Sequence, residues 1–270
     1  MDDSLKIVIE KANAGDKKSL ETLVSEIKDL VYNLSLKMLL FPADAEDATQ
    51  EILIKVITHL STFTYKSQFK TWVYRIATNY LLTHKGKKSL EFAMSFDDYS
   101  NLIDFGQSNE VNYTYNLGEI SLLEEEVKVS CTQGLLMCLN TTDRLVYILS
   151  EILEFNSREG AEILEINSDN FRKKLSRSRS KVRNFLNHKC GLVNSKNPCR
   201  CNKKIDTLID QKIIDPKNLR FAQYSKRSID LIAKIEKLED TASLYQTVPS
   251  FKTPVKVITE IRKVINAVKF

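Results

Sequence analysis

Apolar residues recur every three to four positions along most of this chain, with charged residues on the opposite side at roughly 100° per residue. From Asp44 to Lys88 this pattern predicts two amphipathic helices joined by a polar loop. The first gathers Ala45, Thr49, Ile52, Leu53, Val56 and Leu60 on one side and Asp47, Gln50, Glu51 and Ile54 on the other. The second gathers Phe69, Trp72, Val73, Ile76 and Tyr80 on a buried stripe and leaves Lys70, Arg75, Asn79 and Lys85 to solvent or a partner. Upstream, Leu20, Leu23, Val24, Ile27, Val31, Leu34 and Met38 form a stripe that can pack under this pair. A short helix around Leu5, Val8 and Ile9 precedes it, and Phe41-Pro42 ends it. Residues 1–88 are therefore expected to make one helical domain.

Between Ser89 and Ser130 no period is sustained, and nine carboxylates face only Lys128, so residues 89–130 read as a flexible acidic linker. The helical pattern returns from Thr141 with Leu145, Ile148, Leu149 and Ile152. Asn156 and Glu159 have the spacing of a capping box that opens a short helix through Leu164. After a turn at Glu165-Ile166-Asn167, a second helix puts Phe171, Leu175, Ser178, Val182 and Leu186 inward. Residues 131–189 thus read as a helix-turn-helix domain. Residues 190–270 form an extension with two further helices, one carrying Leu231, Ile232, Ile235 and Leu238. The other opens at Thr253-Pro254, an N-cap followed by proline, and carries Val257, Ile258, Ile261, Val264, Ile265 and Val268. Those stripes must be buried somewhere. They either add to the core of the second domain or cover a binding face as an in-chain regulator.

Only seven glycines and five prolines in 270 residues agree with an all-α class. The net charge of +5 matters less than its distribution. From Phe171 to Lys189 there are eight Lys and Arg and no carboxylate, a segment that attracts nucleic acid where the linker repels it. The outward face of the second helix of the pair carries Arg172, Lys173 and Arg177, which suit base edges in a major groove. Lys174, Arg179 and Arg183 flank them and suit phosphates. Charge alone leaves the acidic and basic faces of residues 44–88 readable as ordinary solvated surface.

Five cysteines make an odd count, against a disulfide framework. His188, Cys190, Cys199 and Cys201 have the ligand chemistry of tetrahedral zinc, although neither pair is C-x-x-C. A bound zinc ion and simply reduced, partly buried thiols stand as alternatives. Cys131 and Cys138 read as small helix residues. The acidic start lacks a secretory signal and no apolar run reaches membrane-spanning length, so a cytoplasmic protein without membrane insertion is expected. Enzymatic readings do poorly: there is no glycine-rich phosphate loop and no paired carboxylates in a catalytic setting. A zinc deaminase wants H-x-E and P-C-x-x-C, where this chain has His188-Lys-Cys190 and Pro198-Cys199-Arg-Cys201.

The order D-A-E-D-x-x-Q-E, then F-x-T-W-x-Y-R-I-A-x-N, resembles the first conserved domain of bacterial RNA polymerase sigma factors of the extracytoplasmic-function type. A-E-I-L-E-I-N-S-D-N-F-R-K-K-L-S-R-S-R resembles the promoter-reading helix-turn-helix of their second domain, with Glu165 where the family usually has glycine and Asp169 where it has a small residue. The resemblance implies a region 2-like bundle and a region 4-like domain, and no required cofactor. It implies that Asp47, Gln50, Glu51 and Ile54 dock on the clamp helices of the largest subunit of core RNA polymerase, with the flap as a second contact. Phe63, Tyr65, Lys66 and Asn79 would hold an unstacked base of the minus-ten element, and Arg172, Lys173 and Arg177 would read the minus-thirty-five element. An anti-sigma factor or the C-terminal extension would be the regulator. The rival reading is a metal- or redox-responsive helix-turn-helix regulator that needs no polymerase.

Overall fold

The computed structural model describes residues 3–84, 86–92, 94–105, 115–222, 245 and 250–267. These contain α-helices and short 3-10 and π turns, with one isolated β-bridge between Cys190 and Cys199. The chain divides into two compact units, Met1–Glu91 with Phe155–Phe171 and Ser250–Phe270, and Phe92–Glu154 with Arg172–Pro249.

The first unit is built on α1 (Asp3–Asn13), α2 (Lys17–Leu39), α3 (Pro42–Thr58), α4 (Phe69–Thr83) and α5 (Lys87–Glu91). Asp16 caps α2 by accepting from the Ser19 amide, and Pro42 opens α3, where its missing N–H costs nothing. The predicted stripe of α2 is buried throughout, from Leu20 to Met38, and the inner face of α3 with it, from Ala45 to Val56. Asp44 is buried too, and accepts from both the amide and the hydroxyl of Ser89, tying the start of α3 to α5.

Two further segments complete this unit. One is α9 (Ser157–Ile163), opened by the predicted capping box of Asn156 and Glu159, with the turn after it. A Cβ on Gly160 would run into the Phe171 ring, so glycine there lets α9 lie close to the start of α10 (Ser168–Lys189). The other is α12 (Val255–Ala267), which lies on α2 and α3 with Val257, Ile261 and Ile265 buried. Its entry is fastened by Asn33, whose amide exchanges two hydrogen bonds with the Phe251 backbone at 2.7 and 2.8 Å. Asp29 accepts from the Thr253 amide and hydroxyl at 2.9 and 2.8 Å. The C-terminal stripe is therefore covered by the N-terminal bundle rather than by the helix-turn-helix domain. The helix expected around Leu231–Leu238 lies outside the described residues.

The second unit contains α6 (Phe96–Asp104), α7 (Leu117–Met137), α8 (Thr141–Tyr147), a π turn over Ile148–Ile152, the greater part of α10, and α11 (Ile205–Asp210). The stretch expected as a flexible tether thus holds two helices. Each opens with a full capping box, Ser95 with Asp98 and Asn116 with Glu119. Two of the carboxylates that suggested a solvated linker are internal. Glu125 pairs with Lys128 at 2.5 Å, and Glu126 accepts from the amides of Arg220, Phe221 and Ala222 at 2.8 to 2.9 Å. Buried Arg144 donates to the carbonyls of Leu136, Met137 and Leu139, closing the end of α7. All five predicted inward residues of α10 are buried.

Candidate polymerase- and DNA-binding surfaces

The outward side of α3 has the predicted composition. Asp47 and Glu51 are exposed, Gln50 and Ile54 half-buried, and all four share one face at i, i+3, i+4 and i+7. Burial raises the Tyr80 phenol of α4, and the charges of Glu51 and Asp47 add to that, which sets these carboxylates beside α4. On another flank, burial raises the Glu46 carboxyl, opposed by Lys256 of α12. The acidic strip therefore runs along α3 between α4 and α12.

The loop between α3 and α4 holds an aromatic cluster. Phe63 is 5% exposed and packs on Tyr65, Phe69 and Trp72 with ring centroids 4.9, 5.5 and 5.4 Å apart. It was expected to meet a base directly, but here it is core and supports the ring that does protrude. Tyr65 is 38% exposed, with a backbone φ of 61°, a conformation that costs a non-glycine residue about 1 kcal/mol or more. Lys66 is exposed beside it, and Asn79 is exposed on α4.

The buried stripe of α4 differs from the expected one. Trp72, Ile76 and Tyr80 are half-buried, whereas Tyr74, Ala77 and Leu81 are buried. The helix is turned because Phe155, which leads into α9, stacks edge-on against Tyr74 at 5.0 Å. Burial pushes the Tyr74 phenol up to about 12. Arg75, expected in solvent or on a partner, meets Glu162 at 3.3 Å and Glu165 at 3.7 Å. Glu165 itself has φ 54°, so the turn that suits glycine is made by a strained glutamate whose carboxylate reaches Arg75.

On α10, Arg172, Lys173, Arg177 and Arg183 are exposed. Lys174 and Arg179 are engaged within the unit, Lys174 with Asp143 at 3.4 Å and Arg179 with Glu151 at 2.6 Å, so the expected phosphate contacts of these two require those pairs to open.

The cysteine set also changes. His188 is exposed, with Nδ1 against the Asn184 carbonyl, while Cys190, Cys199 and Cys201 line one mostly apolar cavity together with Cys131 of α7. Burial pushes the Cys131 thiol up to about 12 and raises the other three. Among the described residues no group of three or more His, Cys, Asp or Glu is arranged to hold a metal ion, so of the two alternatives the zinc quartet of His188, Cys190, Cys199 and Cys201 does not assemble. A histidine at a helix end follows the helix register, and this register turns it outward. Among the described residues no helix is long and apolar enough to cross a membrane.

Residues 23–90, which span α3, its acidic strip, the aromatic loop and α4, match the family model for sigma-70 region 2. The extracytoplasmic-function RNA polymerase sigma factor SigW of Bacillus subtilis is 28% identical over 190 residues, 69% of this chain and 98% of its own. The chain belongs to the RNA polymerase sigma factors of the extracytoplasmic-function type. A probable RNA polymerase sigma factor of Haemophilus influenzae is 28% identical over 152 residues, 54% of this chain and 78% of its own. The sigma-E factor of Escherichia coli K12 is 26% identical over 182 residues, 66% and 92%. A solved structure of CnrH in complex with the cytosolic domain of CnrY is similar over 67% of this chain and 96% of that one, at 17% identity and a TM-score of 0.46. The function of this sigma factor is promoter-specific initiation of transcription, and the rival reading as a polymerase-independent regulator is not favoured. Its curated relatives are sigma factors rather than enzymes.

Residue-based reasoning missed Arg75 with its two glutamates, and the meeting of Cys131 with the later cysteines. The first left a trace in the sequence, an acidic residue where the turn favours glycine. The second left none, because Cys131 is 59 positions before Cys190.

Proposed function

We propose that this sigma factor engages core RNA polymerase through the α3 strip of Asp47, Gln50, Glu51 and Ile54, on the basic clamp helices of the largest subunit. The observation that carries this reading is the two-sidedness of α3. One side is committed to the core, while the other presents two exposed carboxylates around a half-buried isoleucine, a polar rim about an apolar anchor. Tyr65, lifted on the Phe63 platform, offers a face on which an unstacked minus-ten base can rest, with Lys66 for its phosphate and Asn79 for a base edge. Arg172, Lys173 and Arg177 of α10 read the minus-thirty-five element, with Arg183 on phosphate and Lys174 and Arg179 joining once they leave Asp143 and Glu151. The polymerase flap meets the helix-turn-helix domain, and a separate anti-sigma factor or the C-terminal segment regulates access. The domain limits of 1–88, 89–130, 131–189 and 190–270 are kept as functional divisions of the chain.

The test is charge reversal with the fold monitored. Asp47→Lys with Glu51→Lys is expected to weaken capture by core polymerase by roughly 30-fold or more, since each reversal sets like charges together in a desolvated contact. The far-UV spectrum and unfolding midpoint should stay put, because both residues are exposed. Undiminished assembly of the folded variant would refute the docking face.

A further inference from the structure

We propose that Arg75 is a ligand for DNA phosphate, and that Glu162 and Glu165 occupy its guanidinium in the free chain as internal stand-ins for that phosphate. The inference deepens the DNA-reading role proposed for α4 and rests on it. Arg75 lies one turn before Asn79, on the same face of α4. Its Nη2 donates to the carboxylate of Glu162 at 3.3 Å and to the Glu162 carbonyl at 3.4 Å.

Its Nε is buried and makes no hydrogen bond, with the Glu165 carboxylate at 3.7 Å as its nearest acidic contact. A guanidinium is a planar fork that pairs best with two acceptor oxygens at once. Here one prong is paired and the other is buried without an acceptor, the condition that a phosphate with several oxygens would relieve.

The carboxylates are also replaceable. Their side chains are 51% and 60% exposed, so each pair is a solvent-screened contact of small strength. Glu165 is held in a left-handed backbone conformation that glycine would adopt without strain, so its presence in the turn weakens the turn while supplying a charge to Arg75. Approach of a phosphate to Arg75 therefore competes with α9 for one residue, and α9 leaves α4 as nucleic acid arrives.

The experiment uses the full chain, alone and with core polymerase, and follows binding of a fluorescent single-stranded mixed-sequence oligonucleotide. This probe suits a contact that carries no sequence information. The double variant E162Q/E165Q keeps the side-chain shapes and removes both charges. It is expected to bind the oligonucleotide roughly three- to tenfold more tightly than the parent, the scale of two exposed ion pairs. In an R75A background the same double substitution should give no gain. DNA binding without a gain in the parent background overturns the competition alone. An equal gain with and without Arg75 overturns it as well, by assigning the effect to bulk charge. If no form of the chain takes up DNA even with core polymerase, the α4 reading itself falls.

Discussion

Lys37 lies in the last turn of α2 and is buried, and no neighbouring charge offsets that burial. Burial alone lowers its ammonium from 10.5 to about 8. That interval, at about 1.4 kcal/mol per pH unit, makes about 3 kcal/mol by which the charged side chain opposes folding. The sign follows from proton counting. Between about 8 and 10.5 the unfolded chain holds a proton that the folded chain has released, so stability rises with pH across this window, while below about 8 both states are charged and the cost is paid in full. Lys37→Met keeps the length of the side chain and removes the charge. It should stabilise the first unit at neutral pH by up to about 3 kcal/mol, on the order of 10 °C in unfolding midpoint. The gain should shrink to nothing above pH 10.5. Trp72 is the sole tryptophan and belongs to the same unit, so its fluorescence reports this transition. No gain at neutral pH, or a gain that persists above pH 10.5 and so comes from packing, would refute the reasoning.

Asn33→Ala should remove both buried bonds to the Phe251 backbone, at about 2 kcal/mol. The local sign is faster amide hydrogen exchange in α12, and unchanged protection there would count against the fastening. Burial holds the Cys131 and Cys138 thiols up at about 12, so at pH 8 roughly one molecule in ten thousand carries either thiolate. Alkylation of these two should lag far behind that of the denatured chain, and immediate labelling of either in the folded protein would be the contrary result. Arg144→Ala should cost about 3 kcal/mol by removing three hydrogen bonds to the carbonyls of Leu136, Met137 and Leu139, the first of which keeps the Leu139 amide, and an unfolding midpoint left in place would contradict that role.

What could be read from residues alone was whatever local periodicity and capping determine. The inner and outer faces of α3, the capping box that opens α9 and the inward residues of α10 depend on neighbours within a turn or two, and they stand where the pattern put them. Distant partners decided the rest. The stripe of α4 is turned because Phe155 covers Tyr74, 81 positions away. The register of α7 was hidden because Glu125 and Glu126 look like solvated charge until Lys128 and the amides of residues 220–222 are seen around them. Around the cysteine cavity, composition grouped His188 with Cys190, Cys199 and Cys201, whereas the fold turns His188 outward and brings Cys131 to the cavity instead.

The seat of α12 has a consequence for how the protein is made. A ribosome delivers α1 to α4 first, yet the helix that lies on α2 and α3 follows α4 by more than 150 positions in the chain. The bundle must wait, with part of its apolar surface bare, until α12 has been made, a period in which nascent chains are prone to stick to one another or to be held by chaperones. Its completion is therefore set by closure of a loop of more than two hundred residues, as Asn33 finding Phe251 across 218 positions illustrates.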